Sequence, residues 1–96
     1  MQISEAQDWV KDAWSKSEKR MNKVSELASF IEECGELGEC IRKIEHGKDK
    51  EVDMEKEMGD ILLSLLTLAI RYDVDLQKAF DKTMESVKKK YIIKNF

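Results

Sequence analysis

The absence of proline is the feature that most limits the folds open to this chain. Its 96 residues contain no proline and only four glycines. An all-β sandwich or barrel needs turn residues every ~10 positions, whereas helices do without them. Charged residues make up 39% of the chain, against about a quarter in average proteins, as expected of solvated helices. The sequence therefore predicts an all-α fold in one domain spanning residues 1–96.

Apolar spacing and capping residues predict two helices in the first half of the chain. The first begins with Ser4 as its N-cap and runs to about Lys19. The second runs from about Val24 to Glu45. It ends at Gly47, because glycine readily adopts the left-handed conformation of a helix C-terminus.

Two more helices are predicted in the second half. Asp49 or Asp53 caps the third helix, which runs to about Tyr72. Asp75 caps the fourth, which ends in a run of lysines. The four segments together predict a four-helix bundle.

The stretch from Ile61 to Ile70 is apolar on nearly all sides of its helix. A helix of this kind is buried on several sides, and three other helices in so short a chain would struggle to cover it. The stretch is too short to span a bilayer about 30 Å thick. We therefore expect a homodimer or a dimer of dimers, with no membrane partner.

Charge and cysteine content exclude further classes. A net charge of −3 argues against nucleic acid as a partner, since such binding relies on basic residues. The N-terminus lacks the basic and apolar regions of a signal peptide, so we expect a soluble, cytoplasmic protein. Cys34 and Cys40 are about 9 Å apart on one helix, beyond the disulfide limit of about 7 Å. Both are predicted to be buried or half-buried apolar side chains.

Two pairs of acids flank the apolar seams of the second and third helices: Glu33 with Glu36, and Glu57 with Asp60. If these helices pack antiparallel through their seams, the four carboxylates converge at one edge. Converging carboxylates repel one another unless a cation lies between them, and oxygen ligands favour Mg²⁺. Acids at this spacing are also common on solvated helix faces, so spacing alone leaves both interpretations open.

The residues around these acids carry a resemblance. Residues 27–39 read Leu-x-x-Phe-Ile-Glu-Glu-x-Gly-Glu-Leu-Gly-Glu, and residues 57–62 read Glu-Met-Gly-Asp-Ile-Leu. This pattern is similar to the motif of the MazG family of all-α nucleoside triphosphate pyrophosphohydrolases, over about residues 24–91. The resemblance implies a MazG-like bundle completed by oligomerisation. It also implies hydrolysis of an NTP or dNTP to the monophosphate and pyrophosphate, as in house-cleaning of non-canonical nucleotides.

The resemblance also implies roles for single residues. Mg²⁺, for which Mn²⁺ can substitute, would be ligated by Glu33, Glu36, Glu57 and Asp60. Glu33 and Glu32 would be the catalytic acids, with Glu32 orienting the attacking water. On a helical wheel Glu32 points about 100° away from Glu33. Of the acids in the motif, Glu32 is therefore the one whose role the helix geometry supports least.

The last helix departs from the family pattern. Many relatives carry Asn and Lys or Arg there for the triphosphate, whereas Met84 and Ser86 stand near those positions here. We expect Lys82, Lys89 and Lys90 to take over part of the phosphate contact. The departure leaves a second function open, a non-catalytic helical module that binds nucleotides or other partners.

Trp9 and Trp14 lie on the first predicted helix. Aromatic side chains of this kind can stack on nucleobases, but they more often form core or interface. Both are candidate substrate-binding residues.

Overall fold

The computed structural model describes residues 1–17, 22–47 and 52–95, with side chains described as far as residue 92. It contains four helices: α1 (Ile3–Ser15), α2 (Lys23–Glu45), α3 (Met54–Arg71) and α4 (Leu76–Asn95). No strand occurs within these ranges. The predicted all-α class is therefore confirmed.

The start of α1 differs from the prediction. The helix begins at Ile3 with Gln2 as its N-cap, and the Gln2 backbone N–H donates to Glu5 Oε1 at 3.4 Å. Ser4 is not the cap but the second residue of α1, and its backbone N–H, which has no partner within the helix, donates to the side chain of Gln77 in α4 at 3.2 Å. The helix also ends at Ser15, short of the predicted Lys19, which lies outside the described residues.

Local capping residues set the other helix ends. Asn22 accepts from the Ser25 N–H, so α2 begins one residue before the predicted Val24. Gly47 follows α2 with a φ of 64°, as predicted. Asp53 caps α3, whereas the alternative, Asp49, lies outside the described residues.

The antiparallel pair α2–α3 forms the centre of the fold. Two contacts between the helices show that they run antiparallel. The start of α2 pairs with the end of α3 through Glu26 and Arg71, and Glu33, in the middle of α2, lies near Glu57 at the start of α3. Helix α1 packs on α3, where Trp14 Nε1 donates to Thr67 Oγ1 at 3.3 Å. The buried apolar side chains are Val10, Cys40, Leu66 and Ala69.

The Ile61–Ile70 stretch is only partly covered within one chain. Leu66 and Ala69 are buried, whereas Leu62 and Leu63 are each 50% exposed. The cysteines also differ from each other, since Cys40 is buried but Cys34 is exposed. The prediction of burial was therefore wrong for Cys34.

Helix α4 contacts mainly α1, and its hydrogen bonds to α1 lie at its own start. Asp75 caps it as predicted, accepting from the Lys78 N–H at 3.0 Å. Gln7 of α1 donates to the Val74 carbonyl and accepts from the Leu76 N–H. Beyond this attachment, all residues from 80 to 92 are exposed.

The chain has an extended shape as a result. Its radius of gyration is 16.6 Å, against about 12.5 Å for a compact domain of this length. Its accessible surface is 7750 Å², about 2,000 Å² more than a compact monomer of this mass exposes. Much apolar surface is thus left uncovered by the chain itself.

Candidate metal centre

Three carboxylates meet where α2 and α3 face each other. Glu33 and Glu36 lie one turn apart on α2, and Glu57 lies in the first turn of α3. One oxygen from each of the three lies within 4.8 Å of the other two. The antiparallel packing brings them together because the start of α3 lies beside the middle of α2.

Two of these carboxylates have buried oxygens that lack partners. Glu33 Oε2 and Glu57 Oε2 accept no hydrogen bond from any described residue. A buried carboxylate oxygen without a donor is costly, and mutual repulsion adds to that cost. Glu36 is exposed and closes the cluster on the solvent side. The donor set consists of hard oxygen atoms, and it fits Mg²⁺ or Mn²⁺.

Asp60 does not belong to this group of three in the structure. Its Oδ2 accepts from Lys56 Nζ at 2.8 Å, one turn back on the same helix. The hydrogen bond to Asp60 raises the pKa of the Lys56 ammonium group, and the charges of Asp60, Glu57 and Glu33 raise it further. Lys56 is therefore the local counter-charge of the cluster.

The remaining acids of the α2 motif face solvent. Glu32 is exposed and lies outside the group formed by Glu33, Glu36 and Glu57. Glu39 pairs with Arg42, whose Nε donates at 3.1 Å. The hydrogen bond from Arg42 lowers the pKa of Glu39 below its usual value. Glu39 is thus engaged on the surface and away from the cluster.

The two tryptophans lie in different surroundings. Trp14 is half-buried and lines a cavity of about 110 Å³ together with Glu26, Ser29, Ser64 and Thr67. Ser29 lies one turn before Glu33, so this cavity is next to the carboxylates along α2. Trp9 is 68% exposed and lines a different, apolar groove. Both tryptophans also line one further compartment of about 250 Å³.

The candidate phosphate-binding lysines lie apart from the carboxylates. Lys82, Lys89 and Lys90 are exposed on α4, whose main contacts are with α1. Lys89 Nζ lies 3.7 Å from Glu85 Oε1 of the same helix. Within the described residues of one chain, these lysines are not brought to the α2–α3 cluster.

Sequence reasoning missed two charged residues near the centre. Lys56 was detectable, because its spacing of four from Asp60 is typical of a helical ion pair. Glu26 was not, since only tertiary packing makes its carboxylate 2% exposed and pairs it with Arg71.

Comparison with known proteins adds independent findings. Residues 21–92 match the family model described as the MazG nucleotide pyrophosphohydrolase domain. The uncharacterized protein YvdC of Bacillus subtilis (strain 168) is 26% identical over 103 residues, covering 95% of this chain and 97% of its own length. The uncharacterized protein YpjD of the same strain is 34% identical over 68 residues, covering 62% of this chain and 61% of YpjD.

No solved structure matches the chain significantly. Among the described residues, none of the helices is long and apolar enough to cross a bilayer.

Proposed function

Because this chain belongs to the MazG nucleotide pyrophosphohydrolase family, we propose that it hydrolyses nucleoside triphosphates to the monophosphate and pyrophosphate. The substrate is an NTP or a dNTP, and a house-cleaning role against non-canonical nucleotides fits this chemistry. The observation that carries the proposal is the meeting of Glu33, Glu36 and Glu57 at the family's motif positions.

Glu33, Glu36 and Glu57 are the proposed metal ligands, with Asp60 as a fourth once it leaves Lys56. The unpartnered oxygens of Glu33 and Glu57 support this assignment, since both need a positive partner. A bound Mg²⁺ supplies charge neutralisation for the polyphosphate and acidifies a water molecule. Mn²⁺ would serve as a substitute because it accepts the same oxygen donors.

The catalytic roles fall to Glu33 and Glu32. Glu33 would hold the cation that neutralises the phosphoanhydride of the substrate. Glu32 is exposed and adjacent in sequence, so its carboxylate is free to accept a hydrogen bond from the attacking water. That contact orients the water and provides an acceptor for its proton.

Substrate contacts are proposed for the two tryptophans and for three lysines of α4. Trp14 offers an aromatic edge in the cavity beside Glu33, where the nucleoside end of the substrate would lie. Trp9 is a second candidate for base stacking because it is exposed. Lys82, Lys89 and Lys90 provide the positive charge for the triphosphate.

The proposed working form is a homo-oligomer, a homodimer or a dimer of dimers. The apolar surface that one chain leaves exposed supports this part of the proposal. We assign no nucleic-acid or membrane partner.

One observation favours a second candidate, a non-catalytic helical module that binds nucleotides or other partners. Met84 and Ser86 stand near the family's phosphate-binding positions, and the neighbouring lysines lie on a helix that packs on α1. Such a module would bind without turnover.

A panel of NTPs and dNTPs with MgCl₂, analysed for products, tests the function. We expect one pyrophosphate per monophosphate, no activity with EDTA, and none in Glu57→Gln. Glu39→Gln is the matched control, since Glu39 lies in the same motif but pairs with Arg42. Formation of a diphosphate and orthophosphate would contradict the proposed cleavage. Binding without any product would favour the second candidate.

A further inference from the structure

A cavity of about 110 Å³ lies between α1, α2 and α3, next to the carboxylates along the helices. Ser29 lines it one turn before Glu33 on α2, and Ser64 lines it one turn after Asp60 on α3. Glu26 lines the end of this Ser29–Ser64 cavity that is farther from the carboxylates. The sugar of a nucleotide spans about the length of one helical turn. An α-phosphate held at the carboxylates would therefore place its base in the cavity.

The lining combines an aromatic wall with hydroxyl groups. Trp14 is half-buried, and aromatic faces stack on nucleobases. Ser29 and Ser64 are also half-buried, and among the described residues neither hydroxyl has a hydrogen-bond partner. A hydroxyl both donates and accepts, so the two serines can pair with the ring nitrogens, carbonyl oxygens and amino groups at the edge of a base.

The aromatic wall is fixed by two consecutive hydrogen bonds. Trp14 Nε1 donates to Thr67 Oγ1 at 3.3 Å, and Thr67 Oγ1 donates to the Leu63 carbonyl at 3.0 Å. Trp14 and Thr67 also line a second cavity of about 160 Å³, which Arg71 borders. Because they line both cavities, these two side chains form the partition between them.

The end of the Ser29–Ser64 cavity at Glu26 is closed by an ion pair. Glu26 is 2% exposed, and both of its carboxylate oxygens lie within hydrogen-bond distance of Arg71 Nε. A ligand that extended past Glu26 would have to break this pair, which would leave a buried charge without its partner. The cavity therefore has a fixed depth as well as a fixed wall.

The size of the cavity decides between the two classes of nucleobase. A cavity of about 150 Å³ holds benzene, a single six-membered ring. The Ser29–Ser64 cavity holds about 110 Å³, so it takes one six-membered ring whose outer edge remains outside. It is too small for the two fused rings of a purine.

We propose that the Ser29–Ser64 cavity receives the base of the substrate and selects pyrimidine nucleoside triphosphates over purine ones. The pyrimidine ring stacks on Trp14, and its edge forms hydrogen bonds with Ser29 and Ser64. The second ring of a purine would meet either the partition or the Glu26–Arg71 pair. This inference rests on the proposed hydrolysis and adds to it the class of substrate.

Pyrophosphate release from CTP, UTP, ATP and GTP tests the selection in wild type and three variants. Ser29→Ala/Ser64→Ala removes the free hydroxyls, and Trp14→Leu removes the wall and joins the two cavities. The matched control is Ser25→Ala, because Ser25 is exposed one turn before Ser29 and only its backbone N–H is bound by Asn22. Circular dichroism verifies that each variant stays helical.

We expect wild type and Ser25→Ala to favour the two pyrimidine nucleotides by at least about tenfold in kcat/KM. The double serine variant should lose about tenfold in kcat/KM for CTP and UTP, with an unchanged Mg²⁺ dissociation constant. Trp14→Leu should lose most of the preference. If Trp14→Leu does not fold, the double serine variant decides. Equal rates with purines, or a preference that survives in the altered variants, would overturn the inference and leave the hydrolysis standing.

A binding measurement separates the inference from the chemistry. In Trp9→Phe the single remaining tryptophan is Trp14, so its fluorescence reports on the cavity. We expect CMP and UMP to quench it at concentrations at least about tenfold lower than AMP and GMP. Absence of hydrolysis with this binding preference would contradict only the proposed activity. Fluorescence that responds to none of the four, or equally to all, would overturn the assignment of the cavity.

Discussion

Arg71 Nε lies 2.7 and 2.8 Å from the two carboxylate oxygens of Glu26, which joins the last turn of α3 to the first turn of α2. Glu26 is 2% exposed, and Arg71 is the cation that lies against its carboxylate among the described residues. The pair sets the antiparallel alignment of α2 and α3, and it therefore contributes to the placement of Glu57 beside Glu33.

Removal of one partner of this ion pair should destabilise the fold. We expect Arg71→Met to lower the free energy of unfolding by about 3 kcal/mol, because a buried carboxylate then lacks its cation. The double variant Glu26→Leu/Arg71→Met should recover much of the loss. Urea denaturation at fixed protein concentration measures both, and a single variant as stable as wild type would contradict the role of the pair.

The three clustered carboxylates should act as one unit. Glu33→Gln, Glu36→Gln and Glu57→Gln should each lower turnover by a factor on the order of 100 or more, and a double variant should lose little beyond a single one. Steady-state pyrophosphate release is the measurement, with helix content as the control for folding. A Glu57→Gln enzyme with full activity would refute the metal assignment.

Lys56 should compete with the metal. Because its ammonium group lies beside Asp60 and is attracted by Glu57 and Glu33, Lys56→Met should strengthen Mg²⁺ binding by about fivefold. Isothermal titration calorimetry measures the dissociation constant. The control is Lys78→Met, which removes a lysine from α4. Weaker Mg²⁺ binding in Lys56→Met would contradict this competition.

Metal binding should stabilise the folded state by mass action. Mg²⁺ at a hundredfold excess over its dissociation constant should add about 2.7 kcal/mol. Glu36→Gln/Glu57→Gln should show no such gain. Melting curves at pH 7.5 with and without MgCl₂ test this, and an equal response of both proteins would mean that the acids form a solvated face.

The Glu39–Arg42 pair should make a small contribution to the stability of the fold that depends on pH. The Arg42 hydrogen bond holds the folded-state pKa of Glu39 below its usual value. The pair's contribution is therefore present above the unfolded pKa of about 4.3 and is lost as pH falls through the lower folded value. A carboxylate titration by NMR should show that Arg42→Gln raises the pKa of Glu39. An unchanged pKa would contradict this.

Local chemistry in the sequence determined most of the fold. Asp53, Asp75 and Gly47 end or begin helices through contacts within three or four residues, and apolar spacing specifies the helical faces. The family motif can likewise be read from the sequence as Glu33-x-x-Glu36 and Glu57-x-x-Asp60. The spacing of three places the two acids of each pair on one face of their helix.

Tertiary structure decided what these local rules leave open. The N–H of Ser4, which has no partner within the first turn of α1, donates to Gln77, 73 residues away. Glu57 joins Glu33 and Glu36 only through the packing of α3 on α2. Asp60 is the opposite case, because its partner Lys56 lies one turn away on the same helix and the spacing alone indicates the pair. Helical spacing specifies a face, whereas the partner of that face depends on contacts distant in sequence, which local propensity does not encode.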